Sequence, residues 1–187
     1  MKKTIKIYSQ QIDEIDFNKL LIISKYYNNV KNEIFQKYGS IQGLKYLSYP
    51  RQIRDEWIKT KYVDKFNLQA RQWKIAFDEA WWVIKSNWEL CFKKVRKAIY
   101  RNEFLTDDEK QYCYYMLKSP NLLYKIITHQ KFILPDKLIE LDVKPTINKW
   151  LQSKIRKYQN KKPQCKQNNN FLLDSGSYSY SKNILYI

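Results

Sequence analysis

From Val143 to Leu173 the chain carries no acidic residue, yet Lys144, Lys149, Lys154, Arg156, Lys157, Lys161, Lys162 and Lys166 all stand in that stretch. A second cluster comprises Lys93, Lys94, Arg96, Lys97 and Arg101. Ammonium and guanidinium groups at this density neutralise phosphates, which gives salt-sensitive affinity and fixes position without reading sequence. Lys149, Lys154, Arg156, Lys157, Lys161, Lys162 and Lys166, together with the second cluster, are therefore the candidate nucleic-acid-binding residues. The balance of 35 basic against 18 acidic residues, a net charge of +17, points to the same class of polyanionic partner. Against this stands a plain solvated face, and abundant Lys, Asn, Ile and Tyr also suit an AT-rich genome.

Other chemistry finds little to work with. A single histidine, His129, cannot build a Ser–His–Asp set and reads as a surface or helix-end residue. Cys91, Cys113 and Cys165 are far apart with no CxxC pair, so no zinc site is expected. An odd number of cysteines without a secretory pattern reads as free thiols in a reducing compartment, hence a cytoplasmic protein. Asp107 and Asp108 are better explained as helix-start residues than as a catalytic pair. Three glycines cannot supply a phosphate-cradling loop. No catalytic residue, metal or cofactor is expected. No signal-peptide core and no apolar stretch long enough to span a bilayer is present.

The second basic cluster closes the stretch that organises the chain, residues 63–101. Phe66, Ala70, Trp73, Phe77, Trp81, Ile84, Trp88, Cys91, Val95 and Ile99 recur at steps of three and four, one side of a helix. Lys74, Asp78, Lys85, Glu89, Lys93 and Arg96 fall opposite. Uninterrupted by Gly or Pro, this predicts one helix of about 38 residues, some 55 Å long, with other elements covering its aromatic stripe. The stripe reads as a core seam, with a base-stacking platform as the alternative. Trp82 and Leu68 sit off it, so a second face is expected to be covered.

Around this helix the spacing predicts a strand at residues 3–8, and a helix capped by Asp16 running to Tyr38 before Gly39. In that helix Leu20, Ile23, Tyr27, Val30, Ile34 and Phe35 face the core. A connector with Gly43 and a short helix from Pro50 to Lys59 follow. Thr106 and Glu109 form a capping box for a helix to Lys118. Further helices are expected at about residues 120–130 and 145–159, the last with Ile147, Trp150, Leu151, Ile155 and Tyr158 inward. A hairpin closes the chain: residues 171–173, a turn at 174–177, then one strand over 178–187 in which Tyr178, Tyr180, Ile184 and Tyr186 share a face. The fold expected is mainly α: a helical bundle around the long helix, inserted between an N-terminal strand and a C-terminal hairpin. The division is residues 1–10 plus 168–187, a partial barrel, against the helical 11–167. Strand 3–8 is expected to pair with the hairpin, leaving an edge open to partners.

Several stretches resemble the N-terminal half of TnpB (OrfB-type) transposon proteins, relatives of the type V CRISPR effectors. They are residues 3–8 with the helix after them, Val63-Asp64-Lys65-Phe66-Asn67-Leu68-Gln69, and Leu105-Thr106-Asp107-Asp108-Glu109 through Leu117-Lys118-Ser119-Pro120. Asn168-Asn169-Asn170 leading into a hairpin is the last. The resemblance implies a split wedge domain interrupted by a helical recognition domain, the lobe that grips guide RNA and the guide–target heteroduplex through their backbones. The family's RuvC-like nuclease, with its three carboxylates and zinc ribbon, has no counterpart in these residues. The chain is expected to lack nuclease activity alone, as a truncated gene product, a split subunit beside a separate nuclease chain, or a stand-alone module. Two departures stand out: three strands are few for a barrel, and the proline-containing turn after Tyr8 is missing.

The leading reading is thus a non-catalytic lobe for structured guide-type RNA, with target DNA as a further partner and no membrane role. The alternative is a DNA-binding helical repressor or transposition accessory protein, reading bases through Gln69, Arg71 and Gln72.

Overall fold

The computed structural model describes residues 13–165, 179–181 and 184–186. Eight α-helices, α1 (Glu14–Tyr38), α2 (Gln42–Tyr46), α3 (Arg51–Lys59), α4 (Ala70–Tyr100), α5 (Asp107–Lys118), α6 (Pro120–Ile127), α7 (Asp136–Ile139) and α8 (Ile147–Tyr158), account for most of them. The chain is mainly helical, and the longest helix, α4, is its axis. The helix starts seven residues later than expected from the apolar spacing and has 31 residues, about 46 Å. Ahead of it Tyr62–Phe66 forms a 3-10 turn flanked by Lys61 and Asn67, both left-handed (φ 54° and 50°). Asn tolerates that conformation better than most residues, so Asn67 was the signal for a break that periodicity passed over. The backbone N–H of Gln69 then donates to Gln72 Oε1 (3.2 Å) and starts α4.

The aromatic stripe is a core seam. Trp73, Phe77, Trp81, Ile84, Trp88, Cys91, Val95 and Ile99 are buried, so these rings cannot take bases. Ala70, in the first turn, is exposed. α1 packs on the N-terminal half of α4, where Tyr27 Oη (2.8 Å) and Lys31 Nζ (2.6 Å) both donate to Glu79. Asp13, rather than Asp16, caps α1: its carboxylate accepts from the Asp16 N–H at 2.7 Å. α2, in the expected connector, approaches closely enough that Gly43 leaves no room for a Cβ, which would run into the Tyr38 carbonyl and lie 3.3 Å from Ile84 Cγ2.

α5 opens with the expected capping box: Glu109 N–H donates to Thr106 Oγ1 (3.2 Å) and Thr106 N–H to Glu109 Oε2 (3.1 Å). α6 ends at Ile127, three residues short of the expected limit, with exposed His129 left-handed (φ 56°) just beyond. The short α7 had no clear periodicity to announce it. α8 is held from three sides. Gln152 Nε2 donates to the Ile126 carbonyl (2.6 Å), Tyr112 Oη donates to Asn148 Oδ1 (2.9 Å), and the Cys91 thiol reaches the Ile155 carbonyl (3.8 Å). The buried apolar residues of α1–α8 form one continuous cluster from Tyr27 to Ile155.

After α8 the chain runs back to α1 as a strap. One Asn32 side chain satisfies both backbone groups of Cys165, accepting from its N–H (2.8 Å) and donating to its carbonyl (3.4 Å). Lys162 Nζ donates to the Gln36 carbonyl (2.9 Å).

At the C-terminus, Ser179–Ser181 (β1) pairs antiparallel with Ile184–Tyr186 (β2), Tyr180 opposite Leu185 and Ser181 opposite Ile184. This corrects the reading of 178–187 as a single strand: Tyr180 is across from Leu185, not in line with Ile184 and Tyr186. Lys182-Asn183, polar and turn-prone, stands between the two runs in the sequence. The expected strand at 3–8, the turn at 174–177 and the pairing of the two chain ends lie outside the described residues.

Candidate nucleic-acid interface

Two contacts fix how the basic clusters meet. Cys91 touches Ile155, and Asn160 Nδ2 donates to Asn87 Oδ1 at 3.2 Å. Ascending α4 therefore means descending α8, so the helices are antiparallel and the two clusters run along one seam. Helical spacing then sorts the cations. Lys94 and Arg101 continue the stripe of Asn87 and Cys91 that borders α8, with Lys97 next to it. On α8, Lys154 and Lys157 occupy the flank opposite Asn148 and Gln152, the residues that reach α5 and α6. Lys94, Lys97, Arg101, Lys154 and Lys157 thus share one ridge.

Half-buried Trp150 lies on this ridge, with Lys154 Nζ 5.4 Å from its ring centre, and Lys157 Nζ is 5.8 Å from that of Tyr158. Each ammonium group is thereby held near a ring face, with no carboxylate among the described residues to neutralise it.

The structure does not gather all the candidates. Lys149 and Arg156 are on the α6 flank of α8. Lys93 and Arg96 turn outward on α4, beside Glu89. Lys161 is exposed in the strap, and Lys162 is committed to Gln36. Lys166 lies outside the described residues.

The ridge cations, like the neighbouring candidates that lie off it, are without carboxylate partners. Among the described residues none of Lys93, Lys94, Arg96, Lys97, Arg101, Lys149, Lys154, Arg156, Lys157 and Lys161 has a carboxylate within 4 Å, whereas Lys31, Lys37, Lys65, Arg54, Lys110 and Lys144 all do. Like charges left side by side repel, and a polyanion relieves that repulsion while releasing its counterions.

Sequence reasoning missed two exposed aromatics of α4. Trp82, midway along the helix and expected under a covering element, is 69% exposed, and Tyr100, at its end beside the ridge, is 80% exposed. Their place off the buried stripe was the available signal. The base-reading set, in contrast, is not presented as a unit: Gln72 is buried against Gln69. Burial pushes the Cys91 thiol up to about 11 and Cys113 to about 12, so both are protonated at neutral pH and poor nucleophiles.

No family model matches the chain, and no curated protein or solved structure matches it. Among the described residues no helix is long and apolar enough to cross a membrane, and no group of three or more His, Cys, Asp or Glu side chains is placed to hold a metal ion.

Proposed function

We propose that this chain is a non-catalytic nucleic-acid-binding lobe, of the kind found in TnpB-like transposon proteins, that grips structured guide-type RNA or an RNA–DNA heteroduplex through its phosphates. The observation that carries this is the ridge of unpaired cations along the α4–α8 seam, interleaved with Trp150 and Tyr158. A rigid helical pair with point charges at its rim suits backbone recognition, in which shape and charge matter more than base identity. The resemblance of the sequence stretches quoted above supplies the guide-RNA part, with a nuclease on a separate chain as the complement. Occupation of Gln72 by Gln69 speaks against the base-reading repressor.

Replacing Lys94, Lys97, Arg101, Lys154 and Lys157 together by Gln tests the reading. Each lost phosphate contact flattens the dependence of log affinity on log salt by roughly 0.7–0.9, so the five remove about 3.5–4.5 from the slope. The melting temperature should hold, because these side chains are not in internal ion pairs. An unchanged slope would remove the ridge as the RNA site. Sequencing RNA that co-purifies with the wild-type chain separates a single structured transcript, as expected, from indiscriminate RNA.

A further inference from the structure

Beside the ridge, the end of α4 and the outer face of α5 enclose an open cleft of about 630 Å³. Tyr100, Gln111, Tyr114, Tyr115 and Lys118 line it. Lys110 lines it as well, within 4.0 Å of Asp107, which leaves Lys118 as its unpaired cation among the described residues. The volume lies in the range of small-ligand sites. Elsewhere in the molecule aromatic rings face one another, as Trp57, Phe66, Phe77 and Trp81 do. Among the described residues the rings of Tyr100, Tyr114 and Tyr115 have no ring partner and their hydroxyls no hydrogen-bond partner. One exposed ring at Tyr100, the half-buried rings of Tyr114 and Tyr115 beside it, an amide that can both donate and accept, and a cation suit an aromatic base with its phosphate.

We propose that this cleft takes an unpaired nucleobase of a single-stranded segment, stacked on Tyr100 and met by Tyr114, Tyr115 and Gln111, while Lys118 and Arg101 hold the flanking phosphates. The inference rests on the nucleic-acid reading above and adds to it: the ridge holds backbone, and the cleft holds a base whose face is accessible only where pairing and stacking are broken. Its place at the end of the ridge, where α4 turns into α5, puts it where a strand leaving a duplex on the ridge would arrive.

Tyr100 is exposed enough for substitution without loss of folding, which a melting curve verifies. Binding of oligo-U, oligo-dT and a blunt RNA duplex is measured for wild type, Tyr100→Ala and Tyr100→Phe. Tyr100→Ala should weaken single-strand binding roughly 5- to 150-fold, the equivalent of one lost base stack. The duplex affinity and the salt slope should stay within twofold of wild type, and Tyr100→Phe should bind as wild type does. Loss on oligo-U alone assigns an RNA segment; loss on both single strands assigns the base without its sugar. Equal single-strand binding by Tyr100→Ala and wild type would overturn the cleft, and the ridge would stand if the five-cation variant still lost its salt slope. Wild type that binds neither single strand nor duplex would overturn both.

Discussion

At the N-terminal end of α4, rings face rings and cations face carboxylates. Trp57 is surrounded by Tyr38, Tyr62, Phe66 and Phe77 at centroid distances from 4.9 to 6.5 Å. Lys37 and Lys65 each donate to Tyr62 Oη at 2.6 Å and lie 3.2 and 3.3 Å from Glu33, to which Tyr62 itself donates. At the C-terminal end Lys94, Lys97, Arg101 and Lys118 have no carboxylate within 4 Å among the described residues, and Tyr100, 80% exposed, has no ring partner among them. Aromatics and cations are therefore not one signal. Where they satisfy each other they fasten the 3-10 turn and α1–α3 to the axis. Where they are left over, their interaction free energy is available to something outside the chain.

The contrast between partnered and left-over rings, wherever they lie along α4, can be broken most forcefully with tryptophan. Trp57→Ala, at a site 4% exposed, should destabilise by about 3–5 kcal/mol in denaturant titration. Trp82→Ala should stay within about 0.5 kcal/mol. Comparable losses at the two sites would erase the distinction. A smaller effect probes the close packing at the same end: Gly43→Ala forces a methyl against the Tyr38 carbonyl and should cost about 1–3 kcal/mol, with RNA affinity unchanged.

Glu33 gives the mildest and most selective test. Burial works to raise its pKa, but the hydrogen bonds from Tyr62, Lys37 and Lys65 outweigh it and hold the carboxyl below its ordinary 4.5. A folded value below the unfolded one means that the stabilisation is full above about pH 4.5 and is lost as pH falls through the folded value. Glu33→Gln should accordingly melt earlier at pH 7, and the gap from wild type should close toward pH 3. A gap of the same size at both pH values would mean that Glu33 acts through shape and not charge.

Helices with a strong apolar period or a capping box were legible in the sequence: the α4 seam from Trp73 to Ile99, the Thr106–Glu109 start of α5, and Ile147, Leu151 and Ile155 on the inward face of α8, where Trp150 and Tyr158, also expected inward, are only half-buried. These depend on local spacing, which a sequence displays directly. The start of α4 was not, because Asn67 changes the backbone's handedness without interrupting the apolar pattern. The four-residue α7 is too short to show a period. At the candidate interface, composition drew attention to α4 and α8 but not to which of their cations share a flank. Sorting Lys94 and Lys154 from Arg96 and Lys149 requires knowing that α8 runs antiparallel against Cys91, a long-range fact. Lys162 looked like the other lysines until the strap gave it a carbonyl.

The strap itself sets an order of events. Asn32 and Cys165 are separated by 133 residues. At a synthesis rate of roughly 5–20 residues per second, Asn32 is made about 7–27 s before its partner exists. Helix formation and docking are far faster than that, so α1 can meet α4 while the strap has yet to be translated. Closing so long a loop against two hydrogen bonds is a late step on entropic grounds as well. The Asn32–Cys165 clasp is thus a latch applied to a bundle already assembled, and the nascent chain carries the Asn32 amide on α1 without this partner until Cys165 has been translated.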